Sequence, residues 1–145
     1  MKTILVAYDD TAPSKRALER AATLAEAFGS RVLVTSIAPL THSGPRSATH
    51  IARSEGPADR DEDVHEAQAV LEARGITAEA VTVLGDPASA IARLAEDRGA
   101  DLVVIGTRAL GPVQRLLGQS VSQAVSRRVH CDVLIVHPGP EAAED

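Results

Sequence analysis

The sequence predicts an α/β fold in which one doubly wound, five-stranded parallel sheet carries helices on both faces. Short apolar runs alternate with helical patterns along the 145 residues, two of the runs are apolar at every position, and the helical patterns end at glycines. Alternation of this kind implies parallel strands whose faces are covered by helices. Right-handed crossovers leave few topologies, and the simplest strand order is 3-2-1-4-5.

Five short apolar runs are the predicted strands. Leu102–Ile105 and Val133–Val136 are continuously apolar, which is typical of strands buried on both faces. Ala78–Val83 alternates more between apolar and polar residues, so we expect this strand to lie nearer an edge of the sheet. The predicted strands are Thr3–Tyr8, Arg31–Ile37, Ile76–Val83, Leu102–Ile105 and Asp132–Val136.

Two helices are predicted in the first half of the chain. Pro13–Phe28 carries a helical apolar stripe that ends in Phe28, and Gly29 follows as the stop. A further helix over Asp59–Arg74 stops at Gly75. The apolar residues that we expect to point inward from it are Val64, Ala67, Val70 and Leu71.

Two helices in the second half have capping signals. Asp86 before Pro87 is an N-cap with proline at the first helical position, and Gly99 ends that helix. The last helix is predicted from Ser120 to Val129, because Ser120 and Gln123 form the capping-box pattern.

Residues 1–138 are predicted to form one domain, since a chain of this length usually folds as a single unit. Residues 39–57 are polar, rich in proline and glycine, and without a secondary-structure period. This segment leaves the carboxyl end of strand 2, so it is either a flap over that edge of the sheet or an ordinary solvent loop. Residues 139–145 form an acidic tail.

Composition excludes several function classes. The net charge is −5 and Tyr8 and Phe28 are the only aromatic residues, so neither a basic surface nor base stacking supports nucleic-acid binding. The N-terminal apolar run is too short for a signal peptide, and no stretch approaches the ~18 apolar residues of a membrane span. The single Cys131 rules out an internal disulfide and suits a reducing compartment. We therefore expect a cytoplasmic protein without nucleic-acid or membrane partners.

The connection rules also predict where a ligand binds. In the order 3-2-1-4-5 the direction of winding reverses between strands 1 and 4, and ligands bind outside the carboxyl ends of the strands at such a reversal. The segments that meet there are Tyr8–Thr11 and Gly106–Arg108. Loop amides and the positive end of a helix favour an anion at this place.

Four sequence features, in this order and spacing, resemble the universal stress protein family over nearly the whole chain. They are ILVAYDDT after the first residues, the Gly85-Asp86-Pro87 helix start, ADLVVIGTR, and the final run CDVLIV. The resemblance implies an adenine nucleotide alpha hydrolase-like fold, a homodimer and a role in stress survival. It also implies that the chain is either an ATP binder or one of the family's non-binders.

The ATP binders of the family share a G-x-x-G-x9-G-[ST] loop. On this chain the loop starts at Gly106 and ends at Ser120, but Ala109 and Gln119 stand at the second and third glycine positions. Glycine is needed where the backbone takes a positive φ or comes close to a phosphate. Gln119 therefore either fills the phosphate site or donates its amide to a phosphate oxygen. Arg108 is either a bidentate phosphate ligand or a solvated loop arginine.

The resemblance also implies the residues of a nucleotide site. Asp9 matches the family's acidic residue after strand 1, a contact to adenine, ribose or a metal ion, and the alternative is a carboxylate that caps the turn into the first helix. Ala7 and Ile37 match positions that line the adenine pocket, and both also suit an ordinary core. The full nucleotide-binding set is Ala7, Asp9, Ile37, Gly106, Thr107, Arg108, Ala109, Gln119, Ser120 and Val121.

We expect neither a catalytic constellation nor a protein metal site. The five histidines are scattered, without metal-ligand spacing to one another or to Cys131. The chain offers no evident general base and no group-transfer acceptor, so ATP hydrolysis is expected to be slow at most. A nucleotide (ATP, or ADP or AMP) would be the cofactor, with Mg or Mn as an accompanying ion.

The last strand is the predicted dimer contact. As strand 5 it forms an apolar edge of the sheet, and pairing it antiparallel with its copy in a second subunit removes the aggregation hazard of that edge. The family resemblance implies the same contact. The interface residues are Val133, Leu134, Ile135 and Val136.

Three functions are consistent with these patterns. The first is a cytoplasmic, homodimeric stress-response protein that binds an adenine nucleotide as a switch or sensor and acts on an unknown protein partner. The second is a dimeric interaction protein on the same fold, in which Ala109 and Gln119 have altered the crevice so that no nucleotide binds. The third, an adenylyl transferase or related enzyme, is disfavoured because neither strand end carries a phosphate motif rich in histidine or lysine.

Overall fold

A computed structural model describes residues 1–38, 57–107 and 121–138 of the chain. Within these ranges five parallel strands form one sheet in the order β3-β2-β1-β4-β5, which confirms the predicted fold class and strand order. The elements are β1 (Thr3–Ala7), α1 (Ala12–Phe28), β2 (Arg31–Ala38), α2 (Pro57–Ala73), β3 (Ala78–Leu84), α3 (Pro87–Arg98), β4 (Leu102–Gly106), α4 (residues 121–128) and β5 (Asp132–Val136).

The sheet is covered by helices on both faces. Alternate residues of each strand point to opposite faces, and two apolar clusters result. One packs Val6 and Val104 against α1 and α2, and the other packs Leu5 and Val103 against α3 and α4. The central strands β1 and β4 are therefore buried except at their last residues, Ala7 and Gly106, which are half-buried. For β4 this burial agrees with the continuously apolar run Leu102–Ile105.

The predicted helix boundaries at Asp86 and Gly99 are confirmed. The side chain of Asp86 accepts a hydrogen bond from the amide of Ser89, and Gly99 ends α3 with a φ of 65°, in the left-handed region that favours glycine. Thr11 is the N-cap of α1, and its side chain forms a capping box with that of Ser14. These ends are fixed by contacts within a few residues, which is why local sequence predicts them.

Two residues that the periodicity placed on buried helix faces are exposed, so those predictions are wrong. Val70 is 44% exposed because Val64, Ala67 and Leu71 mark the inward stripe of α2 and residue 70 lies about 100° from Leu71 around the helix. Phe28 is 58% exposed because it is the last residue of α1, beyond the final buried Ala25.

Several predictions fall outside the described residues. They are most of the 39–57 segment (residues 39–56), the acidic tail 139–145, and residues 108–120, which include Arg108, Ala109, Gln119 and Ser120. Most element boundaries agree with the prediction within one residue, and two differ by two residues. Pro57 is the first residue of α2, whereas β3 starts at Ala78, two residues after the predicted Ile76.

Candidate functional site: a cleft at the carboxyl ends of β1 and β4

β1 and β4 are neighbours at the centre of the sheet, and their carboxyl ends open at the same edge. The chain leaves β1 for α1 on one face, whereas the helix that follows β4 in the chain, α4, lies on the other face. The winding direction therefore reverses between them, which is the place where open α/β sheets bind ligands. The predicted juxtaposition of the two corners is confirmed.

The corner between β1 and α1 is held by its own side chains. Oδ1 of Asp9 accepts hydrogen bonds from the amide of Thr11 (3.2 Å) and from the Thr11 hydroxyl. Oγ of Ser14 accepts from the amides of Asp9 (3.2 Å) and Thr11 (3.1 Å). Asp9 thus caps the turn into α1, which is the second of the two roles predicted for it from the sequence. Within the described residues its Oδ2 atom makes no hydrogen bond.

Several acidic side chains lie close together at this corner. Tyr8 is buried and its hydroxyl donates to Oδ1 of Asp10 at 3.3 Å, and Asp10 itself has a φ of 64°. Burial and then the charge of Asp10 raise the pKa of the Tyr8 phenol. Burial and then Asp10 also raise the pKa of Asp63 on α2. Lys15 is a cation at the same corner, and its Nζ lies 3.4 Å from Oδ1 of Asp10.

Gly106 at the end of β4 is required by helix packing. A Cβ atom at this position would lie 2.0 Å from the carbonyl oxygen of Pro13 and 2.5 Å from its carbonyl carbon. The close backbone approach expected at Gly106 is therefore made by the first turn of α1, whatever ligand occupies the cleft. Any larger residue here would push α1 away from the sheet.

Arg16 reaches the carboxyl end of β4 from the next turn of α1. One terminal nitrogen of its half-buried guanidinium donates to the carbonyl oxygen of Thr107 at 3.5 Å. Thr107 in turn donates its amide to the carbonyl of Val136 at 3.0 Å. Sequence reasoning missed Arg16, although its signal is simple: it is a cation in the opening turns of the helix that follows the first strand.

Three predicted site residues border one apolar cluster. Ala7, Ile37 and Val121 are all half-buried and pack against the cluster beneath α3 and α4. Asp9, Gly106 and Thr107 lie at the adjoining strand ends. The described part of the predicted site is thus brought to one edge of the sheet.

The opposite edge of the sheet carries a separate groove of about 410 Å³ between α3 and residues 128–131. Its lining includes Arg93, Glu96, Arg128 and Cys131, whose thiol pKa is raised by burial. Across the described ranges, no three metal-ligating side chains come together to hold an ion. None of the helices there is long and apolar enough to cross a bilayer.

Comparisons with known proteins agree with the fold. A family model described as the universal stress protein family matches residues 1–137. The chain is 36% identical over 143 residues to universal stress protein Rv1636 of Mycobacterium tuberculosis, covering 94% of this chain and 96% of that protein. It is 39% identical over 140 residues to a universal stress protein of Thermus aquaticus, covering 93% and 98%.

Among solved structures, the chain is similar to the crystal structure of a universal stress protein in complex with cAMP. The two have 31% sequence identity and a TM-score of 0.71, with 95% of this chain and 98% of that chain covered.

Proposed function

This chain belongs to the universal stress protein family, and on that premise we propose that it binds an adenine nucleotide in the cleft between β1 and β4. Binding would act as a switch or sensor in a stress response, and any hydrolysis would be slow. The proposal rests on one observation above all, the adjacency of the two strand ends at the reversal point of the sheet. The cAMP complex of a 31% identical relative supports an adenine nucleotide as the ligand.

The proposed site assigns a part to each region of the cleft. Ala7 and Ile37 form the apolar wall for the base. Oδ2 of Asp9, which makes no hydrogen bond within the described residues, accepts a hydrogen bond from a base or ribose group. Gly106 and Thr107 begin the phosphate side. Arg108, Ala109, Gln119, Ser120 and Val121 complete that side on the strength of the family resemblance.

ATP is the ligand that the loop resemblance implies, with ADP and AMP as alternatives, and cAMP is the ligand of the related complex. Mg or Mn would arrive with the phosphates of a nucleotide. Magnesium in such sites keeps several waters and relies on phosphate oxygens for its remaining ligands.

We propose in addition that residues 1–138 act as one domain and that two chains pair through β5. β5 is an edge of the sheet, and Val133, Leu134 and Ile135 are half-buried on it, whereas Val136 is buried. An antiparallel partner strand would cover this edge. We propose that the protein is cytoplasmic and acts on a further protein partner. Neither nucleic acid nor a membrane is among the proposed partners.

Thermal unfolding with nucleotides tests the proposed function. ATP, ADP, AMP and cAMP are added separately at millimolar concentration, with GTP as the purine control. A nucleotide at ~100 times its Kd stabilises the folded state by about 2.7 kcal/mol, so we expect a clear rise in Tm with at least one adenine nucleotide and a smaller one with GTP. The absence of any rise would favour the interaction protein without a nucleotide.

A pair of variants tests the location of the site. Ile37→Asp places a charge in the proposed base wall, and Leu84→Asp makes the same change at the exposed end of β3. We expect isothermal titration to show at least tenfold weaker binding for Ile37→Asp only, with both variants folded by circular dichroism. Equal affinities would place the ligand elsewhere. Gly106 is unsuitable for this test because its substitution disturbs the packing of α1 on β4.

A further inference from the structure

The two sides of the cleft differ in charge. Asp9 and Asp10 lie on the β1 side, and Asp63 is close enough to feel the charge of both. The amides of Asp9 and Thr11 already donate to side chains of the same corner. Among the described residues, the three carboxylates outnumber the nearby cations Lys15 and Arg60, so an anionic group is less favoured on the β1 side.

The β4 side has a cation whose hydrogen bonding is incomplete. Nε of Arg16 is buried and without a hydrogen-bond partner in the structure as described. The contact from the Arg16 guanidinium to the Thr107 carbonyl, at 3.5 Å, is at the long limit for a hydrogen bond. Lys15, the preceding residue, is already paired with Asp10.

We propose that Arg16 binds the phosphate group of the nucleotide and so distinguishes nucleotides from nucleosides. This inference rests on the proposed nucleotide site and adds a residue that the family resemblance did not supply. A guanidinium presents several donors in one plane, which suits the oxygens of a phosphate. A phosphate at the end of β4 would give the guanidinium a charged acceptor in addition to the weak contact with Thr107.

Isothermal titration of adenosine, AMP and cAMP into the full-length protein tests this assignment. The variants are Arg16→Gln, Arg16→Lys, which keeps the charge, and the control Arg20→Gln, which removes an exposed arginine one turn further along α1. We expect Arg16→Gln to bind AMP and cAMP about tenfold more weakly or worse, with adenosine affinity within about twofold of wild type. Arg16→Lys should recover part of the loss, and Arg20→Gln should match wild type.

The outcomes separate the two proposals. Wild-type protein that binds none of the three compounds, and that ATP and ADP also fail to stabilise in thermal unfolding, would refute the nucleotide site itself. Wild-type binding that Arg16→Gln leaves unchanged would refute only the role of Arg16. An equal loss for adenosine and for the nucleotides would also overturn it, because Arg16 would then be supporting the shape of the cleft. Retained adenosine binding in Arg16→Gln shows at the same time that the variant is folded.

Discussion

Thr35 carries a buried hydroxyl group with no hydrogen-bond partner in the described part of the chain. The residue is fully buried in β2, beside Ala7 of β1 and Val81 of β3. Burying an unpaired hydroxyl costs on the order of 1–3 kcal/mol. We therefore expect Thr35→Val, which has nearly the same shape, to raise the free energy of unfolding by about 1 kcal/mol in urea titrations.

Thr3 provides the matched control for that substitution. It is also a buried threonine in a strand, but its hydroxyl accepts a hydrogen bond from Nε of Arg31 at 3.3 Å. Thr3→Val should therefore lower the free energy of unfolding, opposite in sign to Thr35→Val. Destabilisation by both variants would mean that the Thr35 hydroxyl is satisfied, for example by a bound water.

Single residues show how far sequence reasoning reaches into the site. Gly106 was predicted because an apolar run ends there, but the reason for the glycine is Pro13, distant in sequence and close only after α1 packs on β4. The capping contact of Asp9 was among the predicted alternatives because it depends on the next few residues. Arg16 was missed because its reach toward Thr107 depends on how α1 is rotated on the sheet.

Secondary-structure elements were predicted best where the determinants are local. The ends of α3 follow from Asp86 and Gly99, which act within one turn of the chain. The strand order also followed, because alternating strands and helices leave few right-handed connections. The predicted burial of Val70 and Phe28 is wrong because the elements packed against a helix determine its buried face. The apolar periodicity of the sequence gives that face only approximately.

The starts of β1 and β4 are joined by one carboxylate, and this link makes stability depend on pH. Oδ2 of Asp101 accepts hydrogen bonds from the amides of Lys2 (2.8 Å) and Thr3 (3.0 Å), and the amide of Asp101 donates to the carbonyl of Thr3 at 2.8 Å. The hydrogen bonds from Thr3 and then Lys2 lower the pKa of Asp101 in the folded state. The ionised carboxylate of Asp101 therefore stabilises the folded state fully above the unfolded-state pKa of about 3.9. This stabilisation is lost as the pH falls through the lower folded-state pKa.

Asp101→Asn should consequently be less stable than wild type at pH 7, and the difference should shrink as the pH falls below about 4. Urea unfolding of both proteins between pH 7 and pH 3 measures this difference in the free energy of unfolding. Asp97→Asn, an exposed aspartate at the end of α3, is the control for charge removal and should leave stability nearly unchanged. A wild-type minus Asp101→Asn difference that stayed constant over the whole range would contradict the role given to the carboxylate.

At the scale of the whole molecule, β5 is the edge of the sheet to which we propose that a second chain adds. The carbonyl of Val136 accepts from the amide of Thr107, so the backbone groups of Val136 face β4. Backbone groups alternate in direction along a strand, and those of Val133 and Ile135 therefore face the open edge. An antiparallel partner would use the amides of these two residues.

Ile135→Pro should thus abolish the proposed dimer while leaving the sheet of each chain intact. Proline removes an amide that β4 does not use, and it is tolerated on edge strands for that reason. Light scattering after size exclusion should give twice the chain mass for wild type and the single-chain mass for Ile135→Pro.

Ile135→Thr keeps the amide and should remain dimeric, whereas Leu134→Pro removes an amide that faces β4 and should reduce Tm strongly. If folded Ile135→Pro stayed dimeric, the two chains would meet through another surface, and a monomeric wild type would leave the β5 edge without the proposed partner.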